Sequence, residues 1–185
     1  MTLRIIGGNL KGRRLDVMRG SVTRPTADRL REAIFNILYT RIQGAVVLDL
    51  FAGTGAMGIE ALSRDAEYAV FIDNNRNACS VIKKNIISCG IDDTTTIIKR
   101  NALKRLDWIK SIRPWFNIVF IDPPYNRNFI KPSLKNLVKS RLLKKEACII
   151  VEHSDSEFIP EEIEPFITID KRKYGKSMVT FLQYL

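Results

Sequence analysis

From residue 45 onward the chain alternates short apolar runs with amphipathic segments, and this alternation constrains the fold more than any other feature. The apolar runs predict strands over 45–51, 68–73, 95–99, 117–122 and 147–152. The segments between them predict helices over about 56–64, 75–88, 103–111 and 129–139. Nearly continuous apolar strands that alternate with helices are typical of a parallel sheet covered on both faces. The sequence therefore predicts an α/β fold.

The two ends of the chain depart from this alternation. Residues 166–174 and 177–185 flank Gly175 and predict an antiparallel hairpin that completes a seven-stranded, mostly parallel sheet. Near the start, two short strand-like runs around a Gly-Gly-Asn turn predict a hairpin, and a helix with Thr26 as its N-cap is expected to follow. We therefore predict a basic hairpin-and-helix extension over 1–42 and a larger domain over 43–185.

The stretch VVLDLFAGTGAMGIEAL carries the spacing Gly53-x-Gly55-x-x-Gly58 between a predicted strand and a predicted helix. This is the fingerprint of a loop that lets a ligand approach the backbone, and Asp73 lies twenty residues after Gly53, where an acid contacts ribose hydroxyls. In open α/β sheets ligands bind at the carboxyl ends of the strands. The loop therefore predicts a site for an adenosine-containing cofactor.

Asp49 bears on which cofactor that is. A pyrophosphate over the loop would be repelled by a carboxylate at the end of the same strand. S-adenosylmethionine has no phosphate and carries cationic sulfonium and amino groups, which a carboxylate attracts. Asp49 therefore favours S-adenosylmethionine over a nicotinamide dinucleotide. Asn101 and Ala102 follow the third strand, where the Asn101 side chain and the Ala102 N–H could bind an adenine edge.

The fourth predicted strand ends in Asp122-Pro123-Pro124-Tyr125. The exocyclic amine of a nucleobase is a poor nucleophile because its lone pair is delocalised into the ring. The Asp122 carboxylate and the Pro123 carbonyl could accept its hydrogens, and the Tyr125 ring could stack on an extruded base. The tetrapeptide would also serve as a rigid turn. Together with the cofactor loop it favours amino-group methylation.

The chain carries a formal net charge of +10 among 185 residues, and the basic residues are dense at its start. Eight basic residues face two acidic ones within the first 31 positions. Such a cluster is typical of proteins that bind polyanions by releasing counterions. We expect nucleic-acid contacts from this segment, carried by Arg4, Arg13, Arg24, Arg29 and Arg31.

These segments together resemble one known family, the bacterial 16S ribosomal RNA guanine-N2 methyltransferases of the RsmD type. The resemblance covers essentially the whole chain. RIIGGNLKGRRL and RPTADRLREAIFNIL resemble its N-terminal signature, and VLDLFAGTGAMGIEALSR, IDPPY, IIVEHS and KRKYGKSMVTFLQY resemble its core in the same order. The fold it implies is the Rossmann-like fold of class I S-adenosylmethionine methyltransferases.

The resemblance implies methyl transfer from S-adenosylmethionine to the exocyclic N2 of one guanine in 16S rRNA, with the small ribosomal subunit as partner. It assigns the cofactor roles to Asp49, Gly53, Gly55, Asp73, Asn101 and Ala102, and the base-binding roles to Asp122, Pro123, Pro124 and Tyr125. Two positions depart from the family pattern. Asp65 stands where glycine is common, and Asn101 stands where an acidic residue is common.

Three other functions remain open from the sequence: a DNA adenine-N6 methyltransferase, which shares the tetrapeptide, a non-catalytic RNA-binding assembly factor, and, more distantly, a nicotinamide oxidoreductase. One histidine and three scattered cysteines predict no metal site and no disulfide framework. No apolar run approaches the roughly 18 residues of a membrane span, and no secretory signal is visible. We therefore expect a cytoplasmic, monomeric protein without membrane contacts.

Overall fold

The computed structural model describes residues 3–18, 25–157, 159 and 162–185, and its centre is one mixed β-sheet. Within these residues the sheet has eight strands in the order β3-β2-β1-β4-β5-β8-β7-β6. The strands are β1 (Val46–Leu50), β2 (Tyr68–Asp73), β3 (Thr95–Lys99), β4 (Phe116–Ile121), β5 (Leu143–Ser154), β6 (Glu162–Ile163), β7 (Phe166–Tyr174) and β8 (Ser177–Tyr184). The first five are parallel, and β8, β7 and β6 add antiparallel pairs.

Three of the described helices connect consecutive parallel strands, as the α/β prediction requires, and two more precede the first strand. They are α1 (Pro25–Ile37), α2 (Tyr39–Ile42), α3 (Ala56–Ser63), α4 (Arg76–Cys89) and α5 (Ile130–Lys139), with short 3₁₀ helices at Asp92–Thr94 and Asp107–Ser111. The predicted parallel sheet with a closing antiparallel hairpin is confirmed, and the two-residue β6 adds an eighth strand at the edge. None of the described helices is long and apolar enough to cross a bilayer.

Two local predictions are corrected. The segment expected to be helical over 103–111 forms a loop and then the 3₁₀ helix, because the Asn136 side chain on α5 takes the loop carbonyls of Ala102 and Lys104 as acceptors. The first helix begins at Pro25, so Thr26 lies inside its first turn rather than at its N-cap. Proline suits that first position because the N–H it lacks has no partner within the helix.

The predicted N-terminal hairpin is present as a short antiparallel pair, in which Arg4 and Arg14 form a bridge and Leu15 N donates to the Leu3 carbonyl at 2.9 Å. The backbone of this segment also bonds to α3. The N–H groups of Ile6 and Gly7 donate to the Glu60 carboxylate, each at 2.8 Å, and Asn9 N donates to the Ser63 carbonyl at 2.7 Å. Backbone donors need partners when they are buried, and here a buried helix side chain supplies them. The segment is therefore strapped to the helical layer.

The core lies on both faces of the sheet because strand residues alternate between them. On β1, Val47 packs with α1, α3, α4 and the N-terminal segment, whereas Leu48 and Leu50 pack on the opposite face with α5. Residues on both sides of the predicted boundary at 42/43, such as Phe35 and Phe120, share one apolar cluster. The division of the chain into an extension over 1–42 and a domain over 43–185 stays a prediction.

Candidate active site

The candidate site lies where the strand order reverses, between β1 and β4. On one side of this point the chain continues to β2 and β3, and on the other it continues from β4 to β5. Open α/β sheets bind ligands in the crevice that this reversal opens at the carboxyl ends of the strands. Asp49 on β1, Asp73 at the end of β2 and Asp122 just after β4 all lie at this edge.

The glycine loop has the backbone that its sequence spacing predicts. Gly55 precedes the first turn of α3 with φ of +77°, a left-handed conformation that glycine adopts without a Cβ penalty. A Cβ added to Gly58 would lie 2.3 Å from Cε1 of Phe71 on β2. The third glycine of the motif therefore lets α3 pack closely against the sheet.

The Asp73 carboxylate is held in one orientation by the backbone around it. One oxygen accepts a hydrogen bond from Gly53 N at 2.9 Å, and the other accepts one from Asn75 N at 2.8 Å. Each carboxylate oxygen keeps a further lone pair that can accept a hydroxyl donor. Asp73 is thus fixed at the rim of the loop in the way that ribose recognition requires.

Asp49 is only 3% exposed, and the one hydrogen bond found for its carboxylate comes from Gly58 N at 3.1 Å. Burial raises the pKa of Asp49 to about 8, with repulsion by Asp73 adding to the effect and the Gly58 N–H opposing it. Among the described residues the structure has no ion pair to Asp49. A buried carboxylate without a cation is suited to a ligand that brings one. The residues here therefore fit the cationic end of S-adenosylmethionine better than a pyrophosphate.

A cleft beside Asp73 brings together four of the predicted residues: Asp73, Asn101, Ala102 and Pro124. Asn101 is exposed and its Oδ1 accepts a hydrogen bond from Leu103 N at 2.9 Å, so part of its polar capacity closes a local turn. The Phe51 and Phe129 rings, which the sequence analysis did not single out, line the same cleft and stack with centroids 6.1 Å apart. Nothing in the sequence around these two phenylalanines distinguishes them from phenylalanines of the core.

Asp122 is exposed at the mouth of the crevice, next to buried Pro123 and exposed Pro124. Protein surrounds its carboxyl group on most sides even though part of the side chain reaches solvent. This desolvation, with repulsion by the Glu152 and Asp49 carboxylates, raises the pKa of Asp122 well above its usual range. Three carboxylates thus converge on one crevice, and an amine with its N–H donors is a ligand they suit.

Tyr125 is fixed by its hydroxyl group. The hydroxyl donates to Glu152 Oε1 at 2.7 Å and lies 2.9 Å from Ser177 Oγ, while 38% of the residue remains exposed. Burial raises the pKa of Tyr125, so the hydroxyl keeps its proton. Glu152 lies within the segment IIVEHS and Ser177 within the last hairpin, and no spacing rule linked either to Tyr125 beforehand.

His153, the only histidine, lies in the interior with its Nε2 2.9 Å from Thr180 Oγ1 and its Nδ1 2.9 Å from the Ser154 carbonyl. Burial lowers the pKa of His153, which favours the neutral ring. These contacts give the histidine a structural role. Within the described ranges no group of three or more His, Cys, Asp or Glu side chains could hold a metal ion.

The basic residues predicted to contact RNA lie in different places. Arg31 is 4% exposed, donates to the Arg4 carbonyl at 2.5 Å and forms ion pairs with Asp28 and Glu60, so its prediction as an RNA contact is wrong. Its guanidinium is engaged in contacts inside the protein and does not face solvent. Arg24 lies outside the described residues.

Arg4, Arg13 and Arg29 are exposed, and their role stays a prediction. Arg13 donates to the carbonyl of Ser88, in the last turn of α4, at 2.8 Å. Because α4 starts directly after the Asp73 edge and rises 1.5 Å per residue, Ser88 lies about 18 Å along the helix from its start. Arg13 is therefore remote from the crevice.

Comparison with known proteins places this geometry in context. The family model Cons_hypoth95, described as conserved hypothetical protein 95, matches residues 3–183. The chain is 33% identical to YlbH of Bacillus subtilis over 173 residues, which cover 94% of each chain. It is 38% identical to ribosomal RNA small subunit methyltransferase D of Escherichia coli over 158 residues, or 85% of this chain and 78% of that protein. The solved structure of YhhF from Escherichia coli superimposes with a TM-score of 0.83 at 32% identity, covering 100% of this chain and 98% of that one.

Proposed function

This chain belongs to the Cons_hypoth95 family, and from that premise we propose that it is an S-adenosylmethionine-dependent enzyme that methylates the exocyclic N2 amino group of a guanine in 16S ribosomal RNA. The observation that carries the proposal is the pairing of two carboxylates on neighbouring strand ends. Asp49 lies on β1 and Asp122 directly follows β4. Burial and the repulsion of neighbouring carboxylates raise the pKa of each, and no cation among the described residues pairs with either. One suits a cationic cofactor, and the other suits an amine substrate.

The names of the relatives support the coarser part of this proposal. The Escherichia coli relative is named as a small-subunit ribosomal RNA methyltransferase, and this chain aligns with most of its length. A likeness of that extent supports methyl transfer to small-subunit rRNA. The choice of a guanine N2 position goes beyond those names and rests on the family resemblance of the sequence, because the acceptor groups around Asp122 suit any exocyclic amine of a nucleobase.

The residues around the glycine loop would hold S-adenosylmethionine by three kinds of contact. The buried Asp49 carboxylate would attract its cationic end, and the fixed Asp73 carboxylate would accept hydrogen bonds from its ribose hydroxyls. The Asn101 side chain and the Ala102 N–H would bind the adenine edge. When bound, the cofactor supplies an activated methyl group on a sulfonium. Holding the methyl group close to the acceptor atom provides much of the rate in such transfers.

The residues of the tetrapeptide would hold the target base. The Asp122 carboxylate and the Pro123 carbonyl accept the two hydrogens of the exocyclic amine, which localises the nitrogen lone pair on the face that attacks. The Tyr125 ring, fixed through Glu152 and Ser177, stacks on the flipped base. After attack the nitrogen sheds one proton, for which the Asp122 carboxylate is an acceptor within hydrogen-bond reach.

The test of this function measures which polymer receives the methyl group. Wild-type protein is incubated with S-adenosylmethionine labelled on the methyl group and, in parallel, with unmodified small ribosomal subunits, free 16S rRNA and DNA. We expect label in the subunit reaction and N2-methylguanosine after digestion to nucleosides. Label in DNA as N6-methyladenine, or calorimetry that detects no cofactor binding, would contradict the proposal.

Replacing Asp122 tests the mechanism within the same assay. We expect Asp122→Ala to lower the rate of methyl transfer by roughly 10³-fold, because a positioned polar group at the reacting centre contributes on that order. Cofactor affinity, measured by calorimetry, should stay within a few-fold, since Asp122 faces the base. Asp93→Ala removes an exposed carboxylate just before β3, at the edge of the sheet opposite the crevice, and this matched control should leave the rate unchanged. Full activity of Asp122→Ala would rule out the mechanism.

A further inference from the structure

A groove of about 900 Å³ lies beside the catalytic tetrapeptide, between α5 and the loop after β3. We call it the α5 groove and define it by Arg105, Asn126, Asn128, Lys131, Lys135 and Lys139. It is larger than the cofactor cleft, which holds about 100 Å³.

Three lysines form one wall of the α5 groove. Lys131, Lys135 and Lys139 are all exposed and follow each other at intervals of four residues along α5. Residues four apart lie on the same face of a helix, displaced by about 6 Å along its axis. The positive charges therefore form a line rather than a cluster, and a line of charges is suited to a chain with repeating anions.

The charge of the groove is poorly compensated by the protein. Arg105 is paired with Asp107 at 2.8 Å, and the carboxylate of Glu157 at the rim accepts a hydrogen bond from Ser154 N at 3.2 Å. For Lys131, Lys135 and Lys139 the described part of the chain provides no ion pair. Such an uncompensated line of cations creates a local positive potential that attracts polyanions.

The groove is connected to the crevice through its floor and through one end. Asn136, 9% exposed on α5, donates to the carbonyls of Ala102 and Lys104, and Ala102 itself lines the cofactor cleft. At the other end Asn126 directly follows Tyr125, and its Oδ1 accepts a hydrogen bond from Ser156 Oγ at 3.1 Å. A strand lying in the groove would therefore reach the base pocket without a gap.

We propose that the α5 groove binds the sugar–phosphate backbone of the RNA strand that flanks the target guanine. This inference rests on the proposed function, because it places the backbone of the same substrate whose base enters the crevice. Lysine contacts to phosphates set the register of a strand without reading its sequence. The groove thus positions the strand, while recognition of the target base belongs to the tetrapeptide pocket.

The test compares two variants that lose the same charge at different places. The groove variant is Lys131→Gln with Lys135→Gln and Lys139→Gln. The control is Lys110→Gln with Lys144→Gln and Lys145→Gln, three exposed lysines that precede or begin strands β4 and β5 at the opposite edge of the sheet. Equilibrium binding of labelled, protein-free 16S rRNA and of intact small ribosomal subunits is measured for each full-length protein over a range of salt concentrations, and cofactor affinity is measured by calorimetry.

We expect the groove variant to bind protein-free 16S rRNA on the order of tenfold more weakly than the control variant. The slope of log K against log salt should become shallower by about 2, because each phosphate contact of a single strand contributes about 0.7. Cofactor affinity should stay within about twofold in both variants, which also shows that both remain folded. A change confined to RNA binding supports the groove as the backbone site.

Two results would overturn the inference. Equal weakening in both variants would show that only total charge matters. A loss of binding to intact small subunits without any loss on protein-free rRNA would show that the groove faces a ribosomal protein. The failure of the proposed function is a distinct result, because wild-type protein that binds rRNA but transfers no methyl group would refute the activity while leaving the groove measurement valid.

Discussion

Glu60 and Asp49 are two buried carboxylates connected by α3, and the protein treats them in opposite ways. Glu60 is 0% exposed and accepts hydrogen bonds from two N-terminal backbone N–H groups and from Arg64 Nε at 2.8 Å, with Arg31 Nε 3.6 Å away. Asp49 is 3% exposed and has one backbone donor and no cation among the described residues. One carboxylate is fully compensated, and the other is left open.

The difference separates a structural role from a functional one. Removing a carboxylate from water costs several kcal/mol, which a protein recovers only if donors and cations surround the buried group. At Glu60 the fold supplies them from its own chain, so the group ties the N-terminal segment to α3. At Asp49 the fold supplies one backbone donor and no cation, and the raised pKa reflects the free-energy cost of burying its charge. Such perturbed groups in a cleft mark candidate functional sites.

The largest expected effect follows from breaking the compensated cluster. We expect Glu60→Ala to lower the free energy of unfolding by about 4 kcal/mol, because it removes the carboxylate that faces the buried Arg31 guanidinium and leaves two backbone N–H groups without their acceptor. Chemical denaturation gives this quantity directly. Glu67→Ala removes a carboxylate 58% exposed and 3.8 Å from Arg113, and it should change stability by less than about 1 kcal/mol. Equal losses in the two variants would contradict a clamping role for Glu60.

The opposite sign is expected at the open carboxylate. In the unfolded chain Asp49 ionises near its ordinary pKa, whereas in the folded protein its pKa is about 8, so folding must take up a proton between these values. Asp49 therefore destabilises the unliganded protein progressively as pH rises from about 4 to 8. We expect Asp49→Asn to be more stable than wild type near neutral pH, by up to about 4 kcal/mol at about 1.4 kcal/mol per pKa unit.

The control for this effect is the pH dependence itself. Near pH 3 the advantage of Asp49→Asn should nearly vanish, because that pH lies below the pKa of Asp49 in both the unfolded and the folded protein and the group is mostly protonated in both. The same variant should bind S-adenosylmethionine more weakly by calorimetry, since it lacks the charge that attracts the cationic end. A variant that is stabilised equally at every pH would show that packing, rather than proton uptake, distinguishes asparagine from aspartate.

The sequence could predict the open site better than the compensated cluster, for a physical reason. Asp49, Asp73 and Asp122 each end a strand, and parallel strands bring their carboxyl ends to one edge, so periodicity alone predicts that they converge. Glu60 and Arg31 are separated by 29 positions and lie on different helices. The hydrophobic periodicity of each helix does not specify how the two helices pack against each other. Arg31 therefore looked like an RNA contact, since its charge was visible and its burial was not.

The same limit explains the other features that were missed. Glu152 and Ser177 reach Tyr125 only because β5 and β8 pair in one register, with Ser154 opposite Ser177. The α5 groove depends on the loop after β3, which Asn136 holds out of the helix that local propensity predicts. Each feature depends on a contact between segments far apart in the chain. Local patterns predict elements and their order but do not predict which side chains meet.

The smallest expected effect concerns the electrostatic repulsion between the Asp122 and Glu152 carboxylates in the crevice. Asp122 must be ionised to accept hydrogen bonds from the amine. Because its pKa is raised, activity should be lost on acidification at a higher pH than it would be with an ordinary aspartate. Glu152→Gln removes one repelling charge but keeps an acceptor for the Tyr125 hydroxyl. We therefore expect the acid limb of the kcat/KM profile, which reports ionisation of the free enzyme, to move to lower pH.

Asp155→Asn removes an exposed carboxylate that is paired with Lys173, and it serves as the control for this shift. Its acid limb should match that of wild type, because Asp155 is not among the charges that raise the pKa of Asp122. If Glu152→Gln also left the limb in place while lowering kcat at every pH, Glu152 would act only by orienting Tyr125. The direction of the shift thus decides whether the crevice is an electrostatically coupled set of carboxylates or a set of separate contacts.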